Sequence, residues 1–299
     1  MELRAVYIAN PAHLSVRNQQ LVIRQDREVS LPMEDISSLM IESRSVTITA
    51  AALQILTAYG VTVYFCDETH LPAAITLPMN QNCRQLDILR AQMAMTLPTK
   101  KRLWQAVVTT KLTNQARCLE LSGREGRGEL QNLASEVRSG DPDNLEAIGA
   151  AYYFPRLFGA GFTRGEECLI NAALNYGYAI LRGAVARNLV TRGFEPCLGI
   201  FHHSQLNQFN LADDLMEPFR PLVDLYVAKN VPDDVSPLTP ALKQELFRLS
   251  NYLVQQNGKR YRAISAVGRA ADSLIRILHH SGEALELPSL LPLELHHYE

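Results

Sequence analysis

The amino-acid sequence predicts an α+β protein, with a small β-rich, β-sandwich-like N-terminal domain followed by a large all-α domain. Three observations predict it. Short apolar runs crowd the first seventy-odd residues, apolar residues recur at helical spacing through most of the remainder, and no internal repeat relates one part to another. The division falls after residue 78, giving an N-terminal domain over 1–78, a linker and first helix over 79–98, and a helical domain over 99–299.

In the first domain, strands are predicted at the apolar runs 3–8, 14–16, 20–24, 37–41 and 46–49, with residues 17–20 as a hairpin turn. The segment TAAALQILTAYG spaces its apolar residues helically and stops at Gly60, and VTVYFCD after it reads as a strand. Pro72, Pro78 and the polar NQNC ending at Cys83 mark the end of the domain. Beyond it, residues 84–95 and 98–120 have helical patterns, and GREGRGE around Gly126 is a polar breaker. The DPDN that starts at Asp141 opens a helix carrying Glu146 through Phe154. Thr163 with Glu166 makes a capping box, and the helical pattern over 164–192 stops at Gly193. Asn210 suits an N-cap with Asp213 in the first turn, further helices are expected over 240–257 and 259–280, and the closing LELHHYE reads as a tail.

With 299 residues, 47% of them hydrophobic, the chain has enough apolar material for real cores. The formal net charge of −2 argues against a chain that grips nucleic acid by overall positive charge. Local charge still allows it. Arg156, Arg164, Arg182, Arg187 and Arg192 face only Glu166 and Glu167 along their stretch, while Lys259, Arg260, Arg262, Arg269 and Arg276 face only Asp272. Both are candidate phosphate-binding faces, with a solvated helix surface as the plain alternative. The five cysteines, Cys66, Cys83, Cys118, Cys168 and Cys197, are scattered and form no CxxC pair, which argues against a zinc ribbon or a disulfide framework, and Cys66 reads as a small buried apolar residue. There is no signal-like N-terminus and no apolar run of membrane-spanning length, so a cytoplasmic protein without membrane contact is expected.

Chemistry concentrates in LGIFHHSQLNQFNLADDLMEPFRPLVD, residues 198–224. Carboxylates one helical turn apart beside an imidazole suit a hard divalent cation, and Asp213, Asp214 and Glu217 have that spacing. If Asn210 caps the helix, Asp213 is a first-turn acid beside the dipole and drops out. Asp214 and Glu217 remain, against the alternative that one of them pairs with Arg220. His202 and His203 are adjacent and point apart, so at most one reaches a given metal. Glu146, in NLEAIGAAYYFPRLFG, sits on a helix whose small residues allow close packing near the acid.

Taken in order, Glu146 with AAYYFPRLFG, then FTRGEECLINAALNYGYAIL, then LGIFHH, then FNLADDLMEPFRPLVD resemble the CRISPR-associated integrase family, the "Cas one" protein of the adaptation machinery, in its type II-like branch. SVTITAAALQILTAYGVTVYFCDETHLPAA resembles the family's N-terminal strand-helix-strand segment, so the likeness covers nearly the whole chain. The resemblance implies a helical catalytic domain in which Glu146, His202 and Glu217 are the catalytic residues and the ligands of Mg²⁺ or Mn²⁺. It places Asp214 as an accessory acid, and Arg220 as a residue that orients an acid or contacts phosphate. Arg156, Arg164, Arg182 and Arg187 would help to position DNA. Two departures stand out: many relatives have Asp at the place of Glu217, and Gly at the place of Ala147.

The implied activity is endonuclease and integrase chemistry, in which the 3′-hydroxyl of a short DNA, the new spacer, attacks the edge of a CRISPR repeat by transesterification. Implied partners are DNA, a second copy in an asymmetric homodimer, the small "Cas two" subunit and further type II CRISPR proteins. A stand-alone metal-dependent DNA or RNA nuclease, and a non-catalytic helical scaffold, are the competing readings.

Overall fold

The structure is a computed structural model that describes residues 4–78, 84–234, 236–280 and 282–296. The chain forms two compact units, one running to Gln81 and one from Asn82 to His296.

The first unit holds two four-stranded sheets. One has the order β1 (Arg4–Ile8), β5 (Ile36–Ile41), β7 (Thr62–Cys66) and β8 (Pro72–Ile75), parallel except at β8. The other has the order β4 (Glu28–Pro32), β3 (Gln20–Arg24), β2 (His13–Arg17) and β6 (Thr47–Ile48). Asn18 and Gln19, at φ 50° and 60°, make the two-residue turn between β2 and β3, whose left-handed backbone matches the strand twist. Leu14 and Leu21 from one sheet, Leu39 and Val63 from the other, and Leu56 of helix α1 (Ala50–Ala58) share one core, which makes the unit sandwich-like as expected. Thr49 caps α1 by accepting from Ala52 N–H. β4 was not anticipated, because an edge strand with half-exposed Val29 lacks a clean apolar face, and neither was β8, whose leading proline suits an edge. Leu3 and the NQNC segment up to Cys83 lie outside the described residues, and Cys66 is half-buried rather than buried.

The second unit is built around α3 (Leu97–Leu121), against which α4 (Arg127–Glu136), α5 (Leu145–Phe158) and α8 (Arg220–Asn230) pack. The remaining helices are α2 (Gln85–Met93), α6 (Leu169–Val190), α7 (Asn210–Met216), α9 (Pro240–Arg248) and α10 (Ala263–His279). None among the described residues is long and apolar enough to cross a membrane.

Four local expectations are corrected. Residues 163–168 are not helical: α6 starts at Leu169 with Cys168 as its N-cap, and the Thr163 carbonyl accepts from Glu166 N–H and Asn171 Nδ2. Asn210 lies inside α7 rather than capping it, since Phe209 holds that position and the Asn210 amide donates to the Cys197 and Ser204 carbonyls. The helices expected over 240–257 and 259–280 are interrupted by strands β9 (Tyr252–Gln256) and β10 (Lys259–Arg262), joined by Asn257 and Gly258 at φ 50° and 74°. The supposed tail contributes to β11 (Ser289–Leu295), which pairs with β9, so the helical unit also carries a three-stranded antiparallel sheet.

Candidate functional site

Three elements of the helical unit converge on one cation. Lys111, on the buried side of α3, pairs through Nζ with Glu146 of α5 and lies 2.5 Å from Glu217 Oε2. Glu217 stands in a 3₁₀ turn, Glu217–Phe219, inserted between α7 and α8, where Pro218 breaks the α-helical ladder. Asn114 anchors this turn by donating to the Pro218 carbonyl at 2.8 Å and the Pro288 carbonyl at 2.9 Å, while its own oxygen accepts from Leu290 N–H. Asp141 sets the start of α5 by accepting from the N–H groups of Leu145 and Glu146. Gly149, one turn beyond Glu146, lets α5 approach α3, since a Cβ there would sit 2.1 Å from Leu112 Cδ2.

The side chains of Lys111 and Glu217 are 8% and 6% exposed, and that of Glu146 is 27% exposed, so the carboxylate pair opens to solvent on the Glu146 side. Burial opposes the charged form of Lys111, but the Glu217 and Glu146 carboxylates outweigh it and hold its pKa above the ordinary lysine value. Burial likewise pushes Glu217 up, and Arg220 and Lys111 overcome that and leave it below the usual glutamate range. Arg220 Nε lies 3.0 Å from Glu217 Oε1, with its guanidinium over the Tyr178 ring. The alternative pairing of Arg220 with Glu217 is therefore present, and it supports the carboxylate from the side away from Lys111.

His202 is placed by Asp214. The fully buried Asp214 carboxylate accepts from the backbone N–H groups of Ile200 (2.6 Å), Phe201 (3.0 Å) and His202 (3.1 Å), and lies 2.7 Å from His202 Nδ1. A carboxylate only accepts, so Nδ1 carries the proton, and in the neutral ring the lone pair is left on Nε2. The hydrogen bond to Asp214 raises the pKa of His202 above the ordinary histidine value, with burial opposing and the nearby Glu217 adding to the rise. Gly199 makes the tight loop possible, because a Cβ there would lie 2.1 Å from the His202 carbonyl and 2.9 Å from Asp214 Oδ2. Gln92 ties the same loop to α2 through the Glu195 and Leu198 carbonyls, and Phe201 stacks flat on Trp104 with centroids 4.1 Å apart. Beside His202 the loop borders an open cleft of about 500 Å³, lined also by Lys100, Asn207 and Asn210. His203 turns away and sets Nδ1 3.0 Å from the Phe201 carbonyl.

Glu146 and Glu217 are thus brought together, and His202 stands close enough to Glu217 for its charge to be felt. Among the described residues no three His, Cys, Asp or Glu side chains are gathered as a closed metal-holding group, and the position between the two glutamates holds the Lys111 ammonium. Asp213 is more than a first-turn acid, since it pairs with Arg182 at 2.7 Å and accepts from Asn207. Arg164 is engaged by Asn171 and Asn175, Arg156 lies exposed over the Tyr152 ring at 3.3 Å, and Arg187 is half-buried on α6. In the second basic face Arg260 pairs with Glu294, and Arg269 and Arg276 pair with Glu286, while Asp272 is taken by Arg192 of the first stretch. Beneath the site, Asp224 accepts from Tyr153 at 3.0 Å and from Tyr178, and burial pushes its pKa up to about 6 against those two hydroxyls.

Lys111 and Asn114 belong to this candidate site by their contacts, and the sequence reading missed both. KLTN lies in the middle of a long helix, and only knowledge of what α3 packs against marks a lysine there as buried.

The profile of the family described as CRISPR associated protein Cas1 matches residues 6–151 and 158–235. The chain is 42% identical over 304 residues to the CRISPR-associated endonuclease Cas1 of Neisseria meningitidis serogroup C (strain 8013), covering 100% of both chains, which fits the type II-like branch. Among solved structures it resembles a casposase bound to integration product, with a TM-score of 0.76 and 19% identity over 95% of this chain and 92% of that one. It also resembles a Cas1 protein from Thermotoga maritima, with a TM-score of 0.74 and 14% identity over 95% and 99% of the two chains. The family profile over most of the chain and the full-length relative agree with the fold of the two units: this protein belongs to the Cas1 family of CRISPR-associated proteins.

Proposed function

We propose that the protein is a divalent-metal-dependent DNA endonuclease and integrase of CRISPR adaptation, joining the 3′-hydroxyl ends of short DNA to the repeat edge of the array. The observation that carries this reading is the convergence of Glu146 and Glu217 on a cation, next to an imidazole whose free nitrogen is fixed by a buried carboxylate. The donor set fits Mg²⁺ or Mn²⁺: two carboxylates that already draw in a positive charge, and one neutral imidazole. Glu146, Glu217 and His202 Nε2 would hold it. When bound, such a metal supplies Lewis-acid polarisation of a phosphoryl oxygen.

The rest of the work falls to the chain. Asp214 keeps His202 in the tautomer that offers Nε2, Arg220 fixes one oxygen of Glu217, and exposed Arg156 contributes positive charge for a phosphate backbone. The Neisseria relative carries the name endonuclease, and the casposase neighbour was solved on an integration product. Hydrolysis and joining use the same residues and differ in whether water or a DNA 3′-hydroxyl attacks. We further propose a homodimer that works with the small Cas2 subunit and other type II CRISPR proteins; one solved neighbour is named a Cas6-RT-Cas1–Cas2 complex. The test is joining of a labelled duplex to a repeat-bearing plasmid, with and without the small subunit and with and without Mn²⁺. Joined product that requires the metal and is lost in His202→Ala is expected. Release of fragments without joining would leave only the nuclease, and full joining by His202→Ala would remove this site from the chemistry.

A further inference from the structure

Resting on the metal reading above, the charge at the glutamate pair has a consequence for the metal itself. Glu146 and Glu217 carry two negative charges, and Lys111 and Arg220, both within ion-pair distance, carry two positive ones. The pair is neutral before any metal arrives. A divalent cation added between the carboxylates would leave two uncompensated positive charges in a largely buried place, where Coulomb energies are large. Arg220 approaches Glu217 through the oxygen opposite Lys111, so Lys111 is the group that stands in the way. Its ammonium ends a flexible four-carbon stem and can swing without moving α3.

We propose that Lys111 is the resident cation of this site: it holds Glu146 and Glu217 together in the metal-free protein, is displaced when metal enters, and passes its charge to a DNA phosphate. Metal and DNA then bind cooperatively, because the phosphodiester anion removes the excess positive charge that metal entry creates. Lys111 is a positioning residue in this account. The free protein binds metal weakly and the DNA complex binds it tightly.

The experiment titrates Mn²⁺ into the full-length protein and follows the free-ion electron paramagnetic resonance signal, with and without a short DNA duplex. Wild type, Lys111→Met, Lys111→Arg and Glu217→Gln are compared, with thermal melts to establish folding. Lys111→Met is expected to bind Mn²⁺ about tenfold more tightly than wild type without DNA, and to show little further gain when DNA is added. Lys111→Arg keeps the charge and should stay weak. Where Lys111→Met melts as an unfolded chain, Lys111→Gln, which keeps an N–H donor toward the carboxylates, takes its place with the same expectation. Equal or weaker Mn²⁺ binding by a folded neutral variant, with binding lost in Glu217→Gln, overturns the resident-cation proposal and leaves the metal reading standing. Mn²⁺ binding that survives Glu217→Gln overturns both.

Discussion

Asp214→Asn is the substitution whose effect follows most directly from the geometry. The carboxylate receives four donors: Ile200 and Phe201 N–H on Oδ2, and the N–H and Nδ1 of His202 on Oδ1. An amide has one oxygen, so one pair of donors must face an NH₂ group. The cheaper orientation turns the NH₂ toward His202, whose Nδ1 can lose its proton and accept, whereas the His202 backbone N–H is left without a partner. That bond, made to a charged acceptor, is worth about 1.5–3 kcal/mol, and the three that survive weaken by about 1 kcal/mol each as the charge disappears. The total loss is about 4.5–6 kcal/mol, a large share of the roughly 5–15 kcal/mol that holds a domain folded. With Nδ1 accepting, Nε2 carries the proton and offers no lone pair. Urea unfolding of the two proteins measures the stability, and ¹⁵N–¹H correlation spectra of the histidine ring report the tautomer. A loss below about 1 kcal/mol with Nδ1 still protonated would refute the claim that Asp214 sets both the loop and the imidazole.

Three further outcomes are expected. Gly149→Ala drives a Cβ into Leu112 and should cost about 1–3 kcal/mol, and adding Leu112→Ala should make the double variant markedly less unstable than the two single losses combined; strict additivity would mean that α5 does not rest on α3 there. Asn114→Ala removes three buried bonds and should cost about 3 kcal/mol, with faster amide exchange at Leu290; unchanged exchange would show that Asn114 does not tie β11 to the Glu217 turn. Asp224 has a folded pKa of about 6, raised from 3.8, so its favourable contribution is complete below pH 3.8 and is lost as pH rises through 6. Relative to wild type, Asp224→Asn should therefore gain about 3 kcal/mol between pH 3.5 and pH 7, and a pH-independent difference in unfolding free energy would contradict the assignment.

Much of the fold was legible because it is written in local periodicity. Gln20–Arg24, α1 and α3 stand where their apolar spacing put them. The errors fall where a local pattern is shared by two structures. YLVQQNGKRYR has apolar residues that fit a helix end, yet Asn257-Gly258 is a hairpin turn pair, and a third strand from residues 289–295 was needed to make the hairpin worth forming. The capping box at Thr163 and the N-cap at Asn210 failed for another reason. Thr163 and Asn210 do satisfy backbone groups, but through their carbonyl and amide toward a loop rather than through a cap at their own helix. At the site, the acids were readable from spacing and resemblance, whereas the buried lysine was not. Nothing in KLTN distinguishes a solvated lysine from one lodged between carboxylates that lie 35 and 106 positions further along.

The measurement that bears most directly on the metal site is anomalous diffraction at the manganese edge from crystals of the protein with Mn²⁺ and a short DNA duplex. A peak bounded by Glu146, Glu217 and His202 Nε2, with the Lys111 ammonium moved off the carboxylates, is the predicted result. A saturating Mn²⁺ concentration that leaves Lys111 between Glu146 and Glu217, with the metal elsewhere or absent, would contradict it.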